Sequence, residues 1–378
     1  MRVVHLFKDF YPPTTGGIEQ HLRVLCEGLS RKIDVTVLVP SRSFRRIEET
    51  IGDVHIVRTP ELGRCLSTPL CPGMGAELRR LSPDLIHLHF PNPAGDLAYL
   101  FGGRRVPVVM TYHADIVRQR PMLWAYRPLF DRLIGHVRQI IVSSQQYLDS
   151  STFLAPLRDR CTVIPFGVDR EAFTLGDDEQ TDVRRVRRRH GGRLIVFLGV
   201  LRYYKGLDVL VRAMRHVSGH LLIVGRGPER ANVVRLIREL RLDDRVTLIG
   251  EVSDAERRVL LHAADVFVLP SIDRSEAFGI AQVEAMACGT PVVSSDLPTG
   301  IRAVNSHGVT GLLVPPGDST ALAGALTRLL GDDVLRTTLG RAARERVERE
   351  FTAERMVTET LSLYEGVLAR SAAMVAAS

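Results

Sequence analysis

Short apolar runs alternate with amphipathic helical stretches along the 378-residue chain, and the alternation runs through twice. Apolar runs rich in β-branched residues and bounded by turn residues read as strands, whereas apolar positions three and four apart read as helix faces. In the first half, strands are expected over 3–7, 35–39, 85–89, 108–111 and 140–143, and Ile18, Leu22, Leu25 and Leu29 mark a helix over 18–30. The pattern breaks after Ile164-Pro165-Phe166-Gly167-Val168-Asp169 into a polar stretch. It then restarts with strands expected over 194–198, 221–224, 246–249, 266–269, 292–294 and 311–314. Strand–helix alternation builds parallel sheets covered by helices. The expected class is therefore α/β, with two doubly wound, Rossmann-like domains facing across a cleft, over residues 1–170 and 171–350, followed by a final segment over 351–378. Ligands of such sheets collect at the carboxyl ends of the strands, which directs attention to the loops there.

A composition of 45% hydrophobic and 25% charged residues excludes a disordered chain, a coiled coil and a small disulfide scaffold. The net charge of +7 raises nucleic acid and anionic membranes as partners. Only Lys8, Lys32 and Lys205 are lysines, so the excess is an arginine bias. It is also lopsided: residues 1–170 hold 22 basic and 16 acidic residues, the remainder 28 and 27. The run Arg184-Arg185-Val186-Arg187-Arg188-Arg189 is offset by Asp177, Asp178, Glu179 and Asp182 and has no interleaved aromatic residue. A solvated helix face accounts for it better than a nucleic-acid surface, and no nucleic-acid partner is expected. The basic first domain is nevertheless suited to rest on anionic lipid. Five scattered cysteines lack metal-site spacing, and no apolar run is long enough to span a bilayer. Together with an N-terminus that reads as a first strand, these features lead to the expectation of a cytoplasmic protein, peripheral at most on the inner membrane face.

Five segments carry residues suited to chemistry. The loop from Lys8-Asp9-Phe10-Tyr11 to Gly16-Gly17-Ile18-Glu19 leads from the first strand into the first helix, where paired glycines let a ligand approach free N–H groups. The loop Gly199-Val200-Leu201-Arg202-Tyr203-Tyr204-Lys205-Gly206 places two cations three residues apart before a helix, a pairing that suits a diphosphate. Gly225-Arg226-Gly227-Pro228 reads either as a turn under a nucleotide base or as an ordinary glycine-rich turn. In Ser275-Glu276-Ala277-Phe278-Gly279-Ile280-Ala281-Gln282-Val283-Glu284, two carboxylates flank a helix start. Carboxylates accept hydrogen bonds from vicinal hydroxyls, while the N–H groups of Phe278, Gly279 and Ile280 can meet a phosphate oxygen. His113 and Asp115, after the strand ending at Thr111, are expected to face the cleft, whereas His89 reads as structural.

These segments resemble retaining glycosyltransferases of the GT-B fold, family 4, over nearly the whole chain. Thr15-Gly16-Gly17-Ile18-Glu19-Gln20, Thr111-Tyr112-His113-Ala114-Asp115, Leu201-Arg202-Tyr203-Tyr204-Lys205-Gly206 and Arg274-Ser275-Glu276-Ala277-Phe278-Gly279-Ile280 are most similar to bacterial GDP-mannose-dependent mannosyltransferases that elongate lipid-linked O-antigen chains. One segment departs: that subgroup has Gly-Thr-Gly where this chain reads Asp296-Leu297-Pro298-Thr299-Gly300. The resemblance implies that Arg202 and Lys205 neutralise the leaving diphosphate, Glu284 binds the ribose, Glu276 the transferred sugar, and His113 the sugar near its reacting face. Catalytic roles thus fall on His113, Arg202, Lys205 and Glu276. Nucleotide-sugar binding falls on these last three with Gly16, Gly17, Gly227, Phe278, Gly279, Ile280 and Glu284, and acceptor binding on Asp9, Tyr11, Asp115 and Arg118. It further implies a retaining front-face transfer of a hexosyl group, best mannose from GDP-mannose, with no cofactor and no metal, and a last helix over 352–369 that returns to the first domain. A transferase for a UDP-sugar and a small-molecule acceptor, a nucleic-acid or anionic-surface binder, and an epimerase on the same architecture are the competing readings.

Overall fold

The computed structural model describes residues 1–12, 16–65, 68–103, 106–115, 120–191 and 193–376, with only the backbone of 120–125 and 374–376. The chain forms two units, Met1–Pro165 with Ala353–Ser378, and Phe166–Thr352. The linker residues from Phe166 onward therefore belong to the second unit, and the C-terminal helix Ala353–Ala376 belongs to the first.

In the first unit, parallel strands bury both faces, and the residues that fill them are accordingly Val, Ile and Leu. The strands are β1 (Arg2–Leu6), β2 (Asp34–Pro40), β3 (Ile47–Ile51), β4 (Val54–Thr59), a small hairpin β5 (Arg64–Cys65) and β6 (Thr68–Pro69), then β7 (Leu85–Phe90), β8 (Val108–Tyr112), β9 (Val137–Val142) and β10 (Cys161–Val163). The main sheet has the order β10-β9-β8-β7-β1-β2-β4-β3 and is parallel except at the β3–β4 edge. That antiparallel edge departs from the expected pattern of parallel strands. Its sequence, Ile47-Glu48-Glu49-Thr50-Ile51, is exposed and polar, so it carries no apolar run.

The centre of this sheet holds histidines. His5 on β1 lies in register with His87 on β7, and His89 on β7 with Thr111 on β8. All six residues of β7 are buried, His87 and His89 included. The helix Gly17–Ser30 covers the sheet with Leu22, Leu25, Cys26 and Leu29 and brings His21 inward. The C-terminal helix packs on that helix and delivers the buried Tyr364 hydroxyl to His87 Nδ1.

The second unit repeats the architecture with β11 (Leu194–Leu198), β12 (His220–Val224), β13 (Val246–Gly250), β14 (Val266–Leu269), β15 (Val292–Ser295) and β16 (Gly311–Val314). The six strands are parallel, in the order β13-β12-β11-β14-β15-β16. The polar stretch before β11 forms the helix Asp177–Arg189 with no fully buried residue. Arg187 on it donates to Ala263 O and to Asp265, and Glu179 pairs with Arg258, so the arginine-rich segment is pinned to its own unit.

Burial pushes the His5 and His21 rings down to about 3, with the charge of His5 adding to the effect on His21. Burial, reinforced by the neighbouring rings, also holds His87, His89 and His113 well below the usual histidine range. These five rings are neutral when folded and free to protonate when unfolded. Stability from keeping them neutral is complete above about pH 6.5 and is lost as pH falls below it, at about 1.4 kcal/mol per ring and pH unit. The histidines of the second unit are only partly buried, as at His190, His220 and His262, or exposed, as at His216 and His307. Hydrogen exchange followed by mass spectrometry is therefore expected to show the first unit losing protection between about pH 6 and pH 5 while the second retains it. Simultaneous loss in both would contradict this account.

Candidate active site

In the second unit, two loops from adjacent strands meet. Lys205 follows β11 and Glu276 follows β14, and these strands are paired in the sheet. The Lys205 ammonium is bonded to Glu276 Oε2, which also accepts from Ser271 Oγ at 3.1 Å. Both groups are nearly enclosed, with 11% and 9% of their side chains exposed. Burial works to lower the Lys205 pKa, but the Glu276 carboxylate together with Tyr204 outweighs it and the net shift is upward, so the lysine is firmly cationic. Backbone fit holds the two loops in place. Gly206 has φ +65°, and a Cβ there would stand 2.0 Å from Pro270 O, so this crossing accepts only glycine.

The helix Ile280–Ala287 starts four residues after Glu276. Its cap, Gly279, has φ +74°, and an added Cβ would stand 2.6 Å from Leu269. The first-turn N–H groups of this helix have no intrahelical acceptor and form an electropositive end. Phe278 is buried against Phe166 and Phe351, at ring distances of 5.0 and 6.0 Å, which fixes the approach to the helix. One turn on, the buried Glu284 pairs with Arg257 at 3.4 Å. Arg202 is exposed and has no ion pair among the described residues. Gly227 lies where the loops after β11 and β12 are stitched together, with Leu201 N donating to Arg226 O and Glu229 N to Leu201 O. The turn is thereby accounted for by backbone packing.

Arg202, Lys205, Glu276, Phe278, Gly279, Ile280 and Glu284 thus gather along two loops and one helix of this unit. The structure also revises a simple division of labour: Lys205 and Glu276 are a bonded pair. The lysine keeps two donors beyond this bond, and Glu276 Oε1 remains an acceptor.

In the first unit, Gly16 caps the helix Gly17–Ser30 and the Glu19 carboxylate lies against it, since a Cβ on Gly16 would stand 2.3 Å from Oε2. Asp9, expected at the acceptor, is instead buried and held by Arg42 at 2.8 Å and Arg64 at 3.3 Å. Tyr11 lies under the Arg23 guanidinium at 4.7 Å. Asp115 Oδ1 accepts from Tyr112 OH at 2.8 Å and Ser151 Oγ at 3.1 Å, and its N–H donates to Tyr147 OH. These two carboxylates order their own loops. Arg118 lies outside the described residues.

His113 is buried just past β8, its N–H bonded to Phe90 O. Its Nε2 is 3.0 Å from His89 Nδ1, and His89 Nε2 is 3.0 Å from His5 Nδ1. The histidine pair on β7 was visible in the sequence as His87-Leu88-His89, but its connection to His5 and His113 needs the sheet register. Ser271 and Arg257, which orient the two glutamates, carried no signal in the sequence.

Two family models match the chain, Glycosyltransferase Family 4 over residues 15–172 and Glycosyl transferases group 1 over residues 178–346. The chain is 33% identical over 376 residues to O-antigen chain mannosyltransferase C of Escherichia coli, covering 97% of this chain and 99% of that one. It is 36% identical over 357 residues to the D-rhamnosyltransferase WbpZ of Pseudomonas aeruginosa, covering 93% of each. Among solved structures, the sucrose-phosphate synthase of Thermosynechococcus elongatus superposes with a TM-score of 0.80 at 25% identity, covering 98% of this chain and all of that one.

Removing the Lys205 ammonium would leave a buried carboxylate without its counter-charge. Lys205→Ala is expected to lower the unfolding free energy by about 3 kcal/mol, whereas Arg202→Ala, at an exposed position, changes it by no more than about 0.5 kcal/mol. Urea denaturation of the two variants checks this, and equal stabilities would refute the pairing.

Proposed function

The chain belongs to family 4 of the glycosyltransferases and has their GT-B fold, and from that premise we propose that it is a retaining hexosyltransferase whose preferred donor is GDP-mannose. The observation that carries the reading is the Lys205–Glu276 pair in front of the helix Ile280–Ala287, with the exposed Arg202 three residues before the lysine. Mannose is favoured because mannose and D-rhamnose, the sugars in the names of the two relatives, share the manno configuration.

In this reading Arg202 and Lys205 bind the donor diphosphate, aided by the first-turn N–H groups of the helix. Glu276 Oε1 accepts from hydroxyls of the transferred sugar, and Glu284, oriented by Arg257, from the ribose. His113 meets the sugar beside its reacting carbon. The bond from the anomeric carbon to the phosphate oxygen breaks, and its electron pair stays on the leaving nucleoside diphosphate. The acceptor hydroxyl attacks from the same face, its oxygen forms the new bond, and its proton passes to the leaving phosphate oxygen. Cationic side chains and a helix start stabilise the charge that develops on that oxygen, so the reading includes no metal. The acceptor is a glycan or a lipid-linked glycan, which a basic first domain at an anionic membrane would reach. Among the described residues, no helix is long and apolar enough to cross a membrane.

A screen of nucleotide sugars is expected to give GDP release from GDP-mannose in the presence of acceptor, an anomer-retained product by NMR, and unchanged turnover in EDTA. Arg202→Ala, Lys205→Ala and Glu276→Gln are expected to lower kcat/KM by about a hundredfold or more. Faster turnover of UDP-glucose or UDP-N-acetylglucosamine would replace the donor assignment, and full activity of the variants would replace the site. In a separate flotation assay, the protein is expected to bind vesicles containing anionic lipid and to be released by salt. Equal binding to neutral vesicles would argue against the membrane reading.

A further inference from the structure

Three buried rings in the first unit form a chain with a fixed sense. His5 Nδ1 faces His89 Nε2 at 3.0 Å, and His89 Nδ1 faces His113 Nε2 at 3.0 Å. Both are hydrogen-bond distances, and all three residues are almost completely buried. Burial keeps the rings neutral, and Lys8 further disfavours a cation on His113. A neutral imidazole carries one proton, so one nitrogen donates and the other accepts.

If His5 carries its proton on Nδ1, it donates to His89 Nε2. His89 must then carry its own proton on Nδ1 and donate to His113 Nε2, which leaves the His113 proton on Nδ1. If His113 carries its proton on Nε2 instead, every bond reverses and His5 ends with its proton on Nε2. Any mixed arrangement sets two N–H groups or two lone pairs face to face inside the core. His5 Nε2 has no partner among the described residues, so nothing at that end separately pins the proton. His87 stands outside the chain, because its nitrogens are engaged by Tyr364 OH and Thr111 Oγ1. Groupings of His5, His87 and His89, and of His21, His89 and His113, bring ligand atoms near one another. Both nitrogens of His89 are nevertheless already taken by ring–ring hydrogen bonds, and the geometry is that of a relay.

We propose that His89 and His5 are positioning residues for His113: the three rings share one tautomer, and that shared tautomer decides whether Nδ1 of His113 presents a donor or an acceptor to the sugar. The functional half rests on the contact between His113 and sugar proposed above, whereas the coupling of the rings does not. A hydroxyl that changes the hydrogen-bonding demand at His113 would shift all three rings together, two of them inside the sheet.

The test is a two-bond nitrogen–proton correlation spectrum of protein labelled with nitrogen-15 histidine, at pH 7 and without substrate, with rings assigned by single substitutions. The expected result is one tautomer for His5, His89 and His113, with no cationic ring. Different tautomers among the three, a cationic ring, or a shift of these resonances on adding zinc would overturn the proposal. In His5→Phe, His89 and His113 are expected still to agree, and disagreement there would overturn it as well. His89→Leu is expected to leave His113 as a mixture of tautomers and to lower kcat by tenfold or more with donor KM within threefold. A single His113 tautomer in that variant would remove the coupling. Coupled rings with unchanged kcat would remove the functional half and leave the coupling standing. His5→Phe supplies the coupling readout should His89→Leu fail to fold.

Discussion

A buried ammonium bonded to a buried carboxylate is the interaction on which the second unit's loops depend. Neither charge would be tolerated alone in so enclosed a place, and together they tie the ends of two adjacent strands, β11 and β14. Close backbone approach at Gly206 and Pro270 makes the tie rigid, and Ser271 holds the carboxylate from the side. The helix Ile280–Ala287 begins just beyond, anchored through Phe278 on Phe166 and Phe351. The same ion pair that stabilises the loops thereby brings a cation to an acceptor carboxylate four residues before a helix start.

The first unit handles buried polarity in the opposite manner. Its interior groups are neutral rings that satisfy one another, His5 with His89, His89 with His113, and His87 with Tyr364 and Thr111. The carboxylates that this unit also buries are paired with arginines, as in the cluster of Asp9, Glu61, Arg42 and Arg64. A neutral hydrogen-bonded interior avoids the desolvation cost of ions but makes protonation the weak point of the sheet.

The strand–helix alternation was legible because central parallel strands bury both faces and so read as apolar runs. The edge pair β3–β4 was not, since its outer strand is polar and exposed. Arg202, Lys205 and Glu276 were legible as residue types in loops after strands, and Glu284 in the helix that follows. The bond between Lys205 and Glu276 was not, because it joins positions 71 apart through strand pairing. Asp9 looked available for a ligand, and only the fold reveals Arg42 and Arg64 around it. Likewise, His87-Leu88-His89 shows two rings on one side of a strand, while the third and fourth members come from β1 and the end of β8. Local pattern identifies candidates, and long-range register decides their partners.

The return of the C-terminal helix has a consequence for how the chain is made. Tyr364 completes the bonding of His87, and Val357 packs so closely on Gly28 that a Cβ there would stand 2.4 Å from it. The core of the first unit is therefore closed by residues that follow the whole second unit in the chain, while the second unit, Phe166–Thr352, is one continuous stretch. Every residue of the second unit therefore precedes, in order of synthesis, the helix that closes the first. The unit whose residues begin earlier is thus the one whose residues are completed later, and residues 1–165 by themselves lack the helix that packs on Gly17–Ser30.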